Sequence, residues 1–293
     1  MKILIIGSGG RLGAALTRAY REKFDVTGLS HAQIDLADFD EIEQLIAPLQ
    51  FDVLINCAAM TNVDMCEEQP DEAFRINGGA PDVLAGVCET RNARLIHFST
   101  DYVFDGEKKE PYGEEDETNP ISIYGASKRE GEEAVIAADA RNLVVRVSWV
   151  FGPDRPSFID NIIQRARQNE VVDAVADKFA TPTYTSDIAQ MLPRFFNIDE
   201  SEGGILHFAS TGECTWQQYG QHALDCCREN GVPLKAKEVQ PVTLSDMKTW
   251  IARRPVYSVL STAKYSGLAG VAPRPWRDAV AEYVRDFVCS GGQ

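Results

Sequence analysis

Five short apolar runs, KILIIG (2–7), DVTGL (25–29), DVLINCA (52–58), ARLIHFST (93–100) and NLVVRVSWVFG (142–152), alternate with stretches of helical periodicity. No other feature constrains the fold as strongly. Runs this short, rich in β-branched residues and without polar alternation, are strands buried on both faces, which requires helices on both sides of a parallel sheet. In the first connecting stretch Leu12, Leu16, Ala19 and Tyr20 share one helical face. In the second, Asp38 and Glu41 have the spacing of a capping box ahead of Ile42, Leu45 and Ile46. The expected class is α/β, a doubly wound parallel Rossmann sheet over residues 1–152 with a second, smaller C-terminal substrate lobe over 153–293. In that lobe SFIDNIIQRARQ (157–168) reads as a helix and VVDAV (171–175) and GILHFAS (204–210) as short strands, with room for some segments to return to the main sheet. The acidic stretch GEEDET (113–118) reads as a solvated loop.

Charge and composition narrow the function classes. A formal net charge of −15 over 293 residues repels phosphate backbones, which argues against nucleic-acid binding. No apolar run is long enough to cross a bilayer, and the apolar start MKILIIGSGG is too short for a signal peptide and runs straight into glycines. Seven cysteines without C-x-x-C spacing, among them the adjacent Cys226 and Cys227 in a helical stretch, read as free thiols of a cytoplasmic protein. His31, His97, His207 and His222 are scattered without metal-ligand spacing, and His97 and His207 read as core residues of strands, so no metal site is expected.

Gly7, Gly10 and Gly13 follow the first strand at intervals of three and open the first helix. A turn this tight needs residues without Cβ, and the helix N-terminus behind it offers N–H donors to a pyrophosphate. A dinucleotide is the expected ligand. The second strand ends in Leu29-Ser30-His31 with no carboxylate for a ribose 2′-hydroxyl, so NADPH and NADH both remain open, and Arg11 reads equally as a 2′-phosphate contact or as a solubilising charge at the helix start. Asp35 reads equally as a turn residue or a cofactor contact, and Ala58-Ala59-Met60 equally as packing or as the wall of a cofactor site.

Tyr124 and Lys128 lie four residues apart at a helix start, about two dozen residues after a strand ending in Ser99-Thr100-Asp101-Tyr102. That spacing puts both side chains on one helical face. A phenol with a pKa near ~10 exchanges its proton poorly at neutral pH, and a neighbouring ammonium favours its ionised form. A hydroxyl from Thr100, hydrogen-bonding the reacting oxygen and helping to hold a carbonyl in place for hydride attack, completes the proton-transfer unit. Trp149 at the end of the fifth strand reads equally as core or as a sugar-stacking ring, and Arg253 and Arg254 as a diphosphate pair or as surface ion pairs.

Together these residues resemble the extended short-chain dehydrogenase/reductase superfamily, and within it the dTDP-4-dehydrorhamnose reductase family. The segments NCAAMTNVDMCEEQP, FSTDYVFDG, YGASKREGE, RVSWVFG, DKFATPTYTSDIA and ARRPVYSVLSTAK carry the resemblance in order along nearly the whole chain. It implies Tyr124 as proton donor, Lys128 as its partner and nicotinamide-ribose ligand, and Thr100 as the tuning hydroxyl. It further implies that Gly10, Arg11, Leu12, Asp35, Leu36, Ala58, Ala59 and Met60 line the dinucleotide and that Thr100, Asp101 and Trp149 hold the nucleotide sugar. The implied reaction is hydride transfer from NADPH or NADH to the C4 ketone of dTDP-4-dehydro-L-rhamnose, in a protein for which a homodimer is allowed. Related dehydratases carry a carboxylate where this chain has Tyr102, which favours reduction without elimination. Lys178 and Ala180 depart from the glutamine and glycine usual in the family's DQFG-like segment. Two other readings stand beside this one: a reductase of another nucleotide 4-ketosugar, and a non-catalytic protein like the methionine adenosyltransferase regulatory subunit, whose group usually lacks the tryptophan found here as Trp149.

Overall fold

The computed structural model describes residues 1–197 and 203–289. Six strands, β1 (Lys2–Ile6), β2 (Asp25–Leu29), β3 (Val53–Asn56), β4 (Arg94–Thr100), β5 (Leu143–Val147) and β6 (Gly204–Phe208), form one sheet in the order β6-β5-β4-β3-β1-β2. Every pairing is parallel. The two faces follow the two-residue period of the strands. Ile3, Ile5, Val53, Ile55, Phe98 and Val145 face α1 (Arg11–Tyr20) and the helix Thr185–Met191, while Leu4, Ile6, Leu54, Leu95 and Val144 face α2 (Phe39–Ile46), α3 (Ala80–Thr90) and α4 (Ile123–Ala138). Both faces are covered, which is why the strands read as continuous apolar runs.

The helical faces differ in detail from the sequence reading. On α1 the buried residues are Gly13, Ala15, Leu16, Thr17 and Tyr20, and Ala19 is exposed. The face is rotated because Gly13 seats against the Gly7 carbonyl; a Cβ built on Gly13 would lie 2.2 Å from that oxygen. On α2 Ile42 and Ile46 are buried and Leu45 is exposed. Asp38 caps α2 by accepting from the Glu41 N–H at 3.0 Å, but the Glu41 carboxylate accepts from the Asp35 N–H instead of closing the box.

A second core gathers the helices Phe158–Gln168, Trp216–Glu229 and Trp276–Tyr283 around Phe151, Ile162, Tyr184 and Tyr219, beside the parallel pair Val172–Val175 and Val239–Val242. GILHFAS does not belong to it: Gly204–Phe208 is β6 of the main sheet, paired with β5. The acidic loop is also more than a solvated surface. Glu114 accepts from the His207 N–H at 3.0 Å, and Asp116 pairs with the Lys108 ammonium at 2.7 Å. Among the described residues no helix is long and apolar enough to cross a membrane.

Candidate active site

The strand order reverses at β1, whose neighbours β2 and β3 lie on opposite sides, and the carboxyl ends of β1 and β3 open a crevice there. A cavity of about 1020 Å³ begins in it and runs past the ends of β4 and β5. Gly7 takes φ +80°, and a Cβ on it would meet the Ala58 nitrogen at 2.8 Å, so the loop turns and passes β3 only as glycine. Gly10 is the N-cap of α1 and no side chain caps the helix; its first turn also carries no acidic residue. The N–H groups of that turn are left for an anion. Gly7, Gly10, Arg11, Leu12, Asp35, Leu36, Ala58, Ala59 and Met60 all line the cavity. Gly13 does not; its role is to pack the helix on the loop.

Around this cradle some polar groups already have partners. Asp35 accepts from the Ala37 N–H at 2.9 Å, the turn role, while still lining the cavity. Arg11 donates to the carbonyls of Arg155 at 3.2 Å and Pro156 at 2.5 Å, which ties α1 to the loop after β5. Arg155 was not anticipated. It lines the cavity and donates through Nε to the Gly9 carbonyl at 3.0 Å, placing a second cation over the glycine loop. Its only signal in the sequence is a proline-flanked arginine 142 positions after Gly13, too distant for local spacing to reveal.

The proton-transfer candidates come together opposite the cradle. Ser122 caps α4 by accepting from the Gly125 N–H at 3.2 Å, a contact of about 1 kcal/mol. A Cβ on Gly125 would lie 2.1 Å from the Tyr102 carbonyl, so the first turn of α4 packs directly on the end of β4. Tyr124 thereby comes up to Thr100, whose hydroxyl pulls the phenol's pKa down, and its ring meets Tyr102 edge to face at 5.5 Å. Thr100 Oγ1 donates to Asp101 Oδ1 and accepts from the Tyr102 N–H, each at 3.2 Å.

Lys128 lies at the bottom of the same cavity, 1% exposed. Its Nζ donates to the Phe98 carbonyl at 2.7 Å and lies 3.0 Å from His97 Nε2. Burial lowers its pKa to about 8, against the pull of Glu132 and Cys57. The acidified phenol expected from the sequence is not what this arrangement produces. Burial raises the Tyr124 pKa above its ordinary value, and the Thr100 hydroxyl only partly offsets that. In the ligand-free protein Tyr124 is an acid that keeps its proton.

Asp101 and Trp149 line the cavity as expected for substrate contacts, but with unexpected surroundings. The Asp101 carboxylate accepts from Thr100, from Ser148 at 3.1 Å and from Ser258 at 2.5 Å, and burial raises its pKa despite nearby Lys178. It orients hydroxyls more than it faces the cavity. Trp149 adopts φ +42°, a conformation costing a non-glycine residue about 1–3 kcal/mol, and its indole N–H, beside Trp216, has no hydrogen-bond partner among the described residues. Lys178 is fully buried behind this wall, donating to the Pro255 carbonyl at 2.7 Å with Nζ 5.0 Å from the Tyr102 ring centroid. Arg254 is held by Asp64 at 2.8 Å and stacks on Trp250, and neither it nor Arg253 lines the cavity. The ion-pair reading therefore holds for Arg254.

Comparisons with known proteins bear on the family and the fold. A family model described as the RmlD substrate binding domain matches residues 1–289. The chain is 38% identical over 287 residues to the dTDP-4-dehydrorhamnose reductase of Mycobacterium tuberculosis H37Rv, covering 96% of this chain and 91% of that one. The crystal structure of a dTDP-4-dehydrorhamnose reductase from Clostridium acetobutylicum superposes with a TM-score of 0.89 at 34% identity, covering 97% of this chain and 99% of the other. That of the Bacillus anthracis dTDP-4-dehydrorhamnose reductase in complex with NADP gives 0.88 at 28% identity with the same coverages. A full-length family match, identity above 30% and a shared fold lead to one conclusion: the chain belongs to the dTDP-4-dehydrorhamnose reductase family of extended short-chain dehydrogenases/reductases.

Proposed function

We propose that this protein reduces the C4 ketone of dTDP-4-dehydro-L-rhamnose to give dTDP-L-rhamnose, using NADPH or NADH, with Tyr124 as the proton donor. The observation that carries the proposal is that one cavity holds both an uncapped helix N-terminus behind a glycine turn and a Tyr124-Thr100-Lys128 cluster. The cradle fits a dinucleotide: Gly7 and Gly10 let a pyrophosphate approach the backbone, Ala58 and Ala59 leave room beside it, and the end of β2 carries no carboxylate to repel a 2′-phosphate. When bound there, the coenzyme supplies the hydride that adds to the sugar C4.

The chain's own groups do the rest. As the C4 oxygen gains negative charge, the Tyr124 O–H bond breaks and a sugar O–H bond forms, leaving a phenolate that regains its proton from solvent. Thr100, whose hydroxyl is oriented by Asp101, is assigned to tune the phenol. Lys128 is assigned to the ribose of the coenzyme and Trp149 and Asp101 to the sugar side of the cavity. No carboxylate stands at Tyr102, which leaves reduction without an elimination step.

Lys178 favours keeping a second reading, a reductase of another nucleotide 4-ketosugar, because a buried cation stands directly behind the Tyr102 and Trp149 wall. The test is oxidation of NADPH, followed by absorbance, with dTDP-4-dehydro-L-rhamnose and with other nucleotide 4-ketosugars. Turnover on the first and tenfold or weaker specificity for the others supports the proposal; turnover only on another sugar moves it to the second reading. No turnover on any, with binding to a methionine adenosyltransferase catalytic chain, contradicts both.

A further inference from the structure

Beneath the cavity a buried chain of polar groups links the cofactor wall to Lys128. Asn56 at the end of β3, His97 in β4 and Lys128 on α4 are each 0–1% exposed. Asn56 Nδ2 lies 3.1 Å from His97 Nδ1, and His97 Nε2 lies 3.0 Å from Lys128 Nζ. The far end is fixed by the backbone, because the Ala58 N–H donates to Asn56 Oδ1 at 3.0 Å.

Donors and acceptors along this chain do not balance if Lys128 is an ammonium. The Ala58 N–H needs Asn56 Oδ1 as its acceptor, so the Asn56 NH₂ is turned to His97 and Nδ1 must accept. A neutral imidazole that accepts at Nδ1 carries its proton on Nε2, and that N–H faces Nζ. An ammonium has three donors and no acceptor, so two donors would face each other out of reach of water, where the mismatch is most unfavourable. The other tautomer would accept from the ammonium, but only with the Asn56 amide reversed, which sets its NH₂ against the Ala58 N–H. An imidazolium would donate from both nitrogens and relieves nothing. An amine at Nζ satisfies every partner: it accepts from Nε2, donates to the Phe98 carbonyl at 2.7 Å and keeps one N–H for a ligand.

We propose that His97 is a positioning residue that holds Lys128 as a free amine in the ligand-free protein, with Asn56 fixing the imidazole tautomer. The proposal deepens, and rests on, the reading of Tyr124 and Lys128 as the proton-transfer unit. Its consequence suits a reductase, in which the phenol must keep its proton until an alkoxide forms; an amine does not acidify the phenol, whereas an ammonium does. The other titratable groups facing Nζ leave the mismatch in place. Glu132, one turn along α4, is bound by Arg146 at 2.6 and 2.9 Å. Cys57 at the end of β3 is a thiol whose pKa burial raises, and Tyr124, one turn back on α4, is likewise kept protonated by burial. Burial, against the pull of Glu132 and Cys57, brings Lys128 to about 8, and facing an N–H works in the same direction as burial.

The test is nitrogen NMR of the ligand-free full chain labelled with ¹⁵N-lysine and ¹⁵N-histidine, with Lys128 assigned by comparison with Lys128→Met. At pH 7 the wild-type protein is expected to show His97 protonated at Nε2 and Lys128 at the chemical shift of an amine. In His97→Phe the Lys128 titration is expected to move up by about one pH unit or more, a tenfold gain in proton affinity. A proton on Nδ1, or an ammonium in the wild type at pH 7, overturns the proposal, and both are read without any substitution at His97; so does an unmoved titration in a folded His97→Phe. None of these signals depends on turnover. Activity surviving in Tyr124→Phe would refute the functional reading while leaving them unchanged.

Discussion

Tyr124 and Lys128 were legible from the sequence because four residues on a helix fix their relation, whatever the rest of the chain does. What surrounds them was not. Asn56 and His97 are 41 positions apart and meet only through the β3–β4 register, in which they are directly paired. Asp101, Ser148 and Ser258 come from three separate segments. The electrostatic role of each residue is set by those partners, so the sequence located the phenol and misjudged its acidity. Two outcomes follow at this scale. Tyr124→Phe is expected to lower kcat by about 10²–10⁴-fold while coenzyme affinity, measured by fluorescence titration, stays within a few fold, since only the transferable proton is lost. Glu132→Ala is expected to destabilise the fold by about 3–5 kcal/mol in urea unfolding, because it strands the Arg146 guanidinium, whose side chain is 2% exposed; a loss below 1 kcal/mol would show that Arg146 finds another partner.

Among the elements, strands were read more faithfully than helical faces. All five predicted runs became strands of the sheet; four are almost wholly buried, while β2, at the edge, is only partly buried. On α1 the buried face turned toward Gly13 and Thr17, because contact with the Gly7 carbonyl outweighs the burial of Ala19. Glycine carries no hydrophobic signal, so a pattern of apolar residues cannot register such a contact. Gly13→Ala tests the point. Its Cβ would press on the Gly7 carbonyl, and the helix must shift; a loss of about 1–3 kcal/mol in unfolding free energy is expected together with weaker coenzyme binding. Unchanged stability and affinity would show that the loop has slack the close contact does not suggest.

Across the whole molecule, the first half of the chain announced its architecture and the second half did not. GILHFAS returns to the main sheet after the chain has already built much of a second core, and nothing local distinguishes an edge strand of one lobe from a strand of the other. That return buries His207, and burial drops its pKa to about 3. Between pH 3 and 6.5 the unfolded chain therefore binds more protons at this site than the folded one, so stability falls on acidification through that window. At pH 5 the contribution lost is about 2 kcal/mol. Urea unfolding of wild type and His207→Gln at pH 7 and pH 5 checks it: the variant should lose less stability on acidification, and an equal loss would place the charge-sensitive site elsewhere. The central claim joins distant parts of the chain, since the cavity is lined by residues between Ile6 and Arg155 while Lys178 and Ser258 brace Tyr102 and Asp101 from behind. A crystal structure with oxidised coenzyme and the nucleotide ketosugar tests it most directly. The expected result is Tyr124 Oη within about 3 Å of the sugar C4 oxygen, with the nicotinamide on the other side of C4; a C4 oxygen bound by other groups, with Tyr124 still directed at Thr100, would contradict the account.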